Sequence, residues 1–319
     1  MRKEKYYTTY SELVCMTRIK SNNAHSIAST RKTKFNDNIS IFKCPICGTK
    51  MNIYDFKDLV CIKGHCFNIA KKGYVNFLPK PPKTGYNEKM FYSRRMISSS
   101  GFFTPVLECI SNTIAKIEEK HHLGHIKILD AGCGEGSHIG QIMNILRSDY
   151  SIDSQGTGID ISKEGILLAS KAYFDIVWCV ADLTKLPFMD KQFNVILNIL
   201  SPANYDEFAR TLADNGLLIK IVPGKDYLKQ LREAFYAGTE KQTYSNDKVI
   251  EHYSKNFKIL DMRQVMYTRT INKQNLIHLI NMTPLSWIAE KENIEYDFEK
   301  EVNTITVDLN IIVGKKTIC

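Results

Sequence analysis

The sequence lacks any apolar run of about 18 residues, the length that a membrane-spanning helix needs. Its longest apolar runs, such as Phe193–Leu200, have the length of a buried strand. The basic first residues contain no apolar core of the kind that defines a signal peptide. These absences exclude a transmembrane helix and predict a cytoplasmic protein that has no membrane partner.

Disulfides are also not expected, although the chain has nine cysteines, because nothing marks it for export. Cysteines that cluster are therefore interpreted as metal ligands or buried thiols. The 319-residue chain is 44% apolar and 24% charged, which excludes a largely disordered protein.

The net charge of +9 is concentrated in the first hundred residues. Residues 41–100 alone contain eleven Lys or Arg against three Asp or Glu, whereas the part after residue 100 is slightly acidic. This asymmetry favours two interpretations equally, a polyanion-binding front end or a lysine-rich solvated surface.

Composition divides the chain into four regions. Residues 1–40 are polar and aperiodic, which predicts a poorly ordered extension. Residues 41–78 are compact and contain four cysteines, which predicts a metal-binding module. Residues 79–122 begin with closely spaced prolines and continue with helical periodicity from residue 91, so they are a linker and helical region. Residues 123–319 form the main domain.

Strands and helices alternate in the main domain from residue 126 onward. The strands are apolar on both faces, which indicates an α/β fold, a Rossmann-like parallel sheet covered by helices on both sides. Alternation in residues 303–316 predicts a late edge strand. Residues 225–295 are helical and irregular, without a clear pattern.

A metal site is predicted from the spacing Cys44-x2-Cys47-x13-Cys61-x3-His65. Two pairs of Cys or His side chains at such spacing can close the tetrahedron that Zn²⁺ prefers. So short a segment cannot bury a sufficient core by itself, which favours a structural zinc ion over free thiols. Cys66 is a possible substitute ligand.

A ligand pocket is predicted where residues 128–136 read I-L-D-A-G-C-G-E-G. The motif places Asp130 at the end of a strand and Gly132, Gly134 and Gly136 in a turn before a helix. Backbone N–H groups and a helix N-terminus then meet at the carboxyl end of the sheet, where α/β proteins bind ligands.

Two further acids extend this pocket. Asp160 ends the next strand, where it can accept hydrogen bonds from ribose hydroxyls, and Asp182 follows the third strand, near an adenine amino group. With Asp130, this pattern resembles S-adenosylmethionine-dependent methyltransferases rather than dinucleotide enzymes. The alternative is a glycine turn with purely structural acids.

A more specific resemblance comes from the order of the remaining motifs. The cysteine module is followed by F-N-I-A-K-K-G-Y-V-N-F-L at 67–78, then Arg94-Arg95, then Phe102-x-x-Pro105, and finally M-T-P-L-S-W at 282–287. This order resembles the RlmA-type 23S rRNA (guanine-N1)-methyltransferases over residues 42–313.

The resemblance implies a zinc-ribbon module that helps hold an RNA hairpin, a methyltransferase domain that uses S-adenosylmethionine, and often a homodimer. Some relatives methylate a guanine near the macrolide-binding region of the ribosome, which suggests a link to macrolide resistance. The expected contacts to a 23S rRNA hairpin or loop are the basic side chains Lys71, Lys72, Arg94 and Arg95.

The acceptor pocket is expected at the end of the fourth strand, at Ser201 and Pro202, with Trp287 able to stack on a flipped guanine. The motif contains no carboxylate, so no general base is assigned. One alternative is a methyltransferase for a small molecule or a protein. Another is a non-enzymatic RNA-binding protein with a vestigial methyltransferase fold.

Overall fold

The computed structural model describes residues 33–80, 85–121, 124–236, 244–283 and 303–317. They form a three-stranded antiparallel sheet and an eight-stranded mixed sheet with helices packed around it. No helix in these five ranges has the length and apolar character to cross a membrane.

From residue 126 to residue 223 the elements follow one another in the order that the sequence alternation predicts, whereas residues 257–270, in the segment expected to be helical and irregular, form a strand. The strands are β1 (Met51–Tyr54), β2 (Asp58–Cys61), β3 (Cys66–Asn68), β4 (Tyr74–Asn76), β5 (Ile126–Ala131), β6 (Ser154–Asp160), β7 (Val177–Val180), β8 (Phe193–Ile199), β9 (Leu212–Pro223), β10 (Phe257–Thr270) and β11 (Thr304–Lys316). The helices are α1 (Glu88–Ser99), α2 (Thr104–His121), α3 (Ser137–Tyr150), α4 (Lys163–Ala172), α5 (Tyr205–Thr211), α6 (Lys229–Tyr236), α7 (Asp247–Asn256) and α8 (Lys273–Asn281).

The large sheet has the spatial order β10-β11-β9-β8-β5-β6-β7-β4. All neighbours from β9 to β4 are parallel, and only β11 and β10 run antiparallel to their neighbours. Because the parallel strands are covered on both faces, their burial is nearly continuous, as in β7, where all four residues are buried. The prediction of a Rossmann-like parallel sheet is confirmed.

The predicted edge strand at 303–316 is wrong in its position. β11 lies between β9 and β10, and nearly all of its residues are buried. The edge is β10, whose exposure alternates residue by residue along its whole length. It lies in the segment 225–295, whose many polar residues give no apolar pattern. The alternating residues of β11 belong to an internal strand, because β11 pairs antiparallel with β9 on one side and with β10 on the other.

The small sheet, formed by β1, β2 and β3, is anchored on the large one. Phe42 forms an isolated bridge with Phe188, which precedes β8. Leu59 of β2 is fully buried and belongs to the same apolar cluster as these two rings. β4, within the predicted module 41–78, pairs in parallel with β7 and so extends the large sheet.

The extension predicted for residues 1–40 differs from the structure at its end, and residues 1–32 lie outside the described residues. Residues 33–37 form a helical turn in which Phe35 is fully buried and stacks on Phe42, with ring centroids 6.1 Å apart. The Lys34 ammonium donates a hydrogen bond to the carbonyl of Ile176. These contacts order the polar segment from residue 33.

The predicted helical stretch from residue 91 is two helices. Gly101 has a left-handed φ of +76° and separates α1 from α2. The apolar face of α2 packs into the main core through Val106, Ile110 and Ile114. α1 instead packs against α8 and reaches the carboxyl ends of the parallel strands.

Candidate active site and zinc centre

The four predicted metal ligands converge on one point. Cys44 Sγ, Cys47 Sγ, Cys61 Sγ and His65 Nδ1 all lie within 4.8 Å of one another. The Cys47 and Cys61 sulfurs are 3.6 Å apart, and the Cys61 sulfur is 3.3 Å from the His65 nitrogen. Metal–ligand bonds of about 2.0–2.3 Å place tetrahedral ligands at nearly these separations. The donor set therefore fits Zn²⁺, and a closed set of four protein ligands is typical of a structural ion.

Two tight turns present these ligands. Gly48, which follows Cys47, has a left-handed φ of +75°. Gly64, which lies between Cys61 and His65, has a left-handed φ of +80°. Hydrogen bonds from the side chain and backbone of Thr49 lower the pKa of Cys47 to about 6, which favours the thiolate that binds metal. Cys66 is exposed and lies outside the cluster, so the substitute ligand is not needed.

The predicted glycine turn connects β5 to α3. The turn residues Gly132 and Gly134 follow β5 directly, and Gly136 is the N-cap of α3. All three have left-handed φ values, which only glycine adopts without strain.

Each of the three glycines has a different close neighbour. A Cβ on Gly132 would overlap the Ser201 side chain, whereas one on Gly134 would come within 2.8 Å of the Arg94 guanidinium. A Cβ on Gly136 would lie 2.5 Å from the ring of Trp178. Gly136 therefore serves the packing of helix on sheet, while Gly132 faces the ligand cavity.

A cavity of about 610 Å³ opens at the carboxyl ends of the parallel strands. Its volume is within the range of cofactor pockets. The walls come from the glycine turn, the ends of β6 and β9, the segments after β7 and β8, and α1. Among the predicted residues, the cavity is lined by Gly132, Asp160, Asp182, Ser201 and Pro202.

Three buried acids surround the glycine turn. Burial, together with the charges of Asp160 and Glu135, raises the pKa of Asp130 to about 8. Burial also raises the pKa values of Asp160 and Glu135. Neither carboxylate oxygen of Asp130 has a hydrogen-bond partner among the described residues. Such a cluster fits a ligand that carries positive charge, as the sulfonium and ammonium groups of S-adenosylmethionine do.

Asp160 and a further acid beside the cavity, Asp182, are both held by backbone N–H groups. Asp160 accepts hydrogen bonds from the N–H groups of Gly134 and Ser162, both at 2.8 Å. Asp182 accepts one from the N–H of Thr184, at 2.8 Å. These bonds orient both carboxylates beside the cavity, where Asp160 would bind the ribose and Asp182 the adenine of a bound cofactor.

The turn after β8 forms the opposite side of the cavity. Leu200 has a left-handed φ of +50°, a conformation that costs about 1 kcal/mol or more in a non-glycine residue. Asn198 donates hydrogen bonds to the carbonyls of Ala131 and Pro202, at 2.8 and 2.9 Å. The strained turn is thereby tied to the end of β5.

Lys220 of β9 completes this network and was missed by the sequence analysis. Its ammonium donates hydrogen bonds to Oδ1 of Asn198 and, at 3.1 Å, to the carbonyl of Ser201. Burial lowers the pKa of Lys220 to about 8. The signal in the sequence is a lysine inside the apolar strand L-L-I-K-I-V, where a charged residue needs a polar partner.

The two arginines predicted to bind RNA have other surroundings, which argue against that assignment. Arg95 donates a hydrogen bond to the carbonyl of Glu135 at 3.0 Å and pairs with its buried carboxylate at 3.3 Å. Arg94 lines the cavity and lies over the Phe91 ring. The arginines lie at the glycine turn because α1 packs across it. Lys71 and Lys72 are exposed, and Trp287 lies outside the described residues.

Fold and site together define a methyltransferase that uses S-adenosylmethionine and carries a structural zinc ribbon. Residues 42–85 match the family model described as RlmA, N-terminal, and residues 128–216 match that of a methyltransferase domain. YxjB of Bacillus subtilis (strain 168), whose name is that of a 23S rRNA (guanine-N(1)-)-methyltransferase, is 42% identical over 280 residues, which cover 87% of this chain and 98% of YxjB. The chain belongs to the family of RlmA-type 23S rRNA (guanine-N1)-methyltransferases.

A second relative is more distant in sequence. The 23S rRNA (guanine(748)-N(1))-methyltransferase of Streptomyces fradiae is 25% identical over 258 residues, which cover 80% of this chain and 89% of the relative. Its alignment, like that of YxjB, extends over most of both chains, so the likeness includes more than the methyltransferase core.

Proposed function

We propose that this protein transfers the methyl group of S-adenosylmethionine to N1 of a guanine in a hairpin of 23S rRNA. The observation that carries the proposal is the joining of a four-ligand zinc site to a glycine-turn pocket in one chain. Relatives with 23S rRNA (guanine-N1) in their names align over most of the chain. A cavity lined by the expected acids argues against a vestigial fold.

S-adenosylmethionine supplies an electrophilic methyl group on its sulfonium sulfur. Asp160 and Asp182 would hold the nucleoside end, and Asp130 and Glu135 at the glycine turn would favour the positively charged methionine end. The methyl group would then face the turn formed by Ser201 and Pro202, where the acceptor enters. These residues act mainly by positioning the donor and the acceptor in line.

The acceptor guanine must lose its N1 proton, and negative charge develops on its O6 as it does. Among the described residues that line the cavity, Lys220 carries a buried positive charge directly under the acceptor turn. It stabilises that turn through Asn198 and Ser201 and places a cation where O6 charge develops. The N1 proton passes to water, since the turn itself offers no carboxylate.

The zinc ribbon provides the surface for RNA. Tyr54 and Phe56, on either side of Asp55 at the tip of the β1–β2 hairpin, are 71% and 55% exposed. Exposed aromatic rings stack on unpaired bases, and the exposed Lys71 and Lys72 supply the charge that phosphates need. Exposed rings and exposed lysines in the same module support a single-stranded loop as the ligand.

Three further properties belong to the proposal. A homodimer is supported by the exposed apolar side chains Leu260, Met262 and Met266 on the edge strand β10, and light scattering of the purified protein tests it. A cytoplasmic location follows from a ribosomal substrate. A role in macrolide resistance is tested by comparing macrolide susceptibility with and without the active enzyme.

The decisive experiment incubates unmodified 23S rRNA with the protein and S-adenosylmethionine and analyses the nucleosides by mass spectrometry. New 1-methylguanosine is expected, together with a reverse-transcription stop at one guanine, because N1 methylation blocks base pairing. The variant Asp160→Asn, which is expected to bind the cofactor more weakly, is the matched control. Absence of any methylated nucleoside, with cofactor binding demonstrated, would refute the RNA substrate in favour of a small molecule or a protein.

A further inference from the structure

The guanidinium of Arg94 lies on the glycine turn. Its Nη1 atom is 2.8 Å from the position that a Cβ on Gly134 would take, and its Cζ atom is 5.6 Å from the centre of the Phe91 ring. The side chain also lines the cavity that contains Gly132 and Asp160. The charge therefore faces the pocket from α1, opposite the end of β5.

In the described part of the chain, no hydrogen bond and no salt bridge within 4.0 Å joins this guanidinium to another residue, and its charge acts on Glu135 and Asp160 at longer range. The neighbouring acids are already engaged. Glu135 pairs with Arg95 and accepts a hydrogen bond from Ser137, and Asp160 accepts from two backbone N–H groups. A half-buried arginine keeps five donors available in a planar fork, a geometry that matches a carboxylate or a phosphate.

The helix that carries Arg94 is held in place from several sides. Ser93 Oγ lies 3.2 Å from Nδ1 of His278 on α8, and Gln141 of α3 donates a hydrogen bond to Ser98 at 2.8 Å. The Asn87 side chain caps the helix by accepting from the N–H of Met90. Because the helix is fixed, the guanidinium is preorganised at the turn rather than ordered on binding.

We propose that Arg94 binds the α-carboxylate of S-adenosylmethionine, an inference that rests on the cofactor of the proposed function. The methionine end of this cofactor carries one anion, the carboxylate, beside one ammonium group. The site has a matching pair of charges, since the buried acids favour the ammonium and Arg94 is the cation next to them. α1, which lies in the predicted linker and helical region and carries the two arginines expected to bind RNA, is thus a wall of the cofactor site.

The test measures calorimetric dissociation constants for two ligands in the absence of RNA. S-adenosylhomocysteine carries the carboxylate, and 5′-methylthioadenosine has the same nucleoside without the amino-acid part. Arg94→Gln is expected to weaken S-adenosylhomocysteine by about 10- to 100-fold and 5′-methylthioadenosine by less than about twofold. Arg94→Lys should fall between, because lysine keeps the charge without the fork. Lys89→Gln, exposed on the same helix, is the control and should change neither constant.

Equal loss of affinity for both ligands in Arg94→Gln would overturn the inference, since Arg94 would then only shape the turn. Unchanged binding of S-adenosylhomocysteine with weaker binding of the RNA hairpin would also overturn it and assign Arg94 to a phosphate. These results are independent of methyl transfer. A wild-type protein that binds S-adenosylhomocysteine through Arg94 but leaves rRNA unmodified would contradict the proposed substrate alone.

Discussion

The side chain of Ser201 occupies the space directly over the Cα of Gly132, where a Cβ would otherwise stand. One residue belongs to the cofactor turn after β5 and the other to the acceptor turn after β8. Because β5 and β8 are adjacent and parallel, their carboxyl ends meet at this point. The donor and acceptor sides of the site are thus in direct contact, and a substitution on one side should affect the other.

Gly132→Ala should destabilise the protein and reduce its affinity for S-adenosylhomocysteine, because the alanine Cβ overlaps Ser201 and the φ of residue 132 is +84°. The double variant with Ser201→Gly should recover the part due to the overlap and retain a conformational cost of about 1 kcal/mol. Denaturant unfolding and calorimetry measure the two effects. If the second substitution recovers nothing, the contact is not the cause of the loss.

Asp130 should make the stability of the ligand-free protein fall as pH rises. Its pKa is about 8 in the folded protein against an ordinary value of 3.8, so between these values the folded state binds more protons than the unfolded state. Asp130→Asn removes this dependence. Relative to the wild type, its free energy of unfolding should therefore rise between pH 5 and pH 8, values that lie within the window from 3.8 to about 8.

The same substitution should reduce the affinity for S-adenosylmethionine at pH 8 by about tenfold or more, since the ionised carboxylate favours the cationic cofactor. Urea titrations and calorimetry across the pH range check both arms. Parallel stability curves for the variant and the wild type would show that Asp130 does not titrate in this window.

Loss of zinc should unfold the ribbon while leaving the cofactor pocket in place. Cys47→Ser removes one of four ligands and is expected to lower the zinc content from one ion per chain and to reduce RNA affinity by about tenfold or more. The affinity for S-adenosylhomocysteine should change little, because no cysteine ligand lines that cavity. Cys66→Ser, beside the ligand His65, is the matched control and should retain zinc.

Lys220 should support catalysis through the acceptor turn. Lys220→Met leaves Oδ1 of Asn198 and the carbonyl of Ser201 without their donor, which costs about 1–3 kcal/mol of stability. The kcat should fall by about 10- to 100-fold while the affinity for S-adenosylhomocysteine is retained.

Asn198→Ala, alone and combined with Lys220→Met, tests whether the two residues act as a unit. If they do, the kcat of the double variant should be little lower than that of the less active single variant. Fully additive losses would show that Lys220 acts independently of Asn198.

The hairpin tip and the lysines should contribute to RNA binding in distinguishable ways. Tyr54→Ala and Phe56→Ala should each weaken a 23S rRNA hairpin by about 1–3 kcal/mol with little change in salt dependence. Replacing both Lys71 and Lys72 by Gln should instead reduce the slope of log K against log salt by about 1.4. Phe174→Ala, an exposed ring outside the ribbon, should leave RNA binding unchanged.

Fluorescence anisotropy with a labelled hairpin, repeated at several salt concentrations, separates these contributions. An unaffected salt slope in the double lysine variant would place the phosphate contacts elsewhere on the protein.

Local patterns in the sequence determined much of this site. The spacing of the cysteines and the histidine predicts four tetrahedral ligands, because both pairs lie in tight turns. The structure brings the four side chains together. The glycine turn and its acids follow from the strand–turn–helix pattern, since the carboxyl ends of parallel strands share one edge. Asp160 and Asp182 therefore line the cavity as expected.

Only the tertiary structure decided the parts that depend on long-range contacts. The charge of Arg94 and Arg95 is visible in the sequence, but α1 packs across the glycine turn, which places Arg94 in the cofactor cavity and pairs Arg95 with Glu135. Lys220 acquires its partners from a neighbouring strand. β10 becomes the edge because β11 inserts between it and β9. Such contacts join residues far apart along the chain, so packing, not local pattern, selects them.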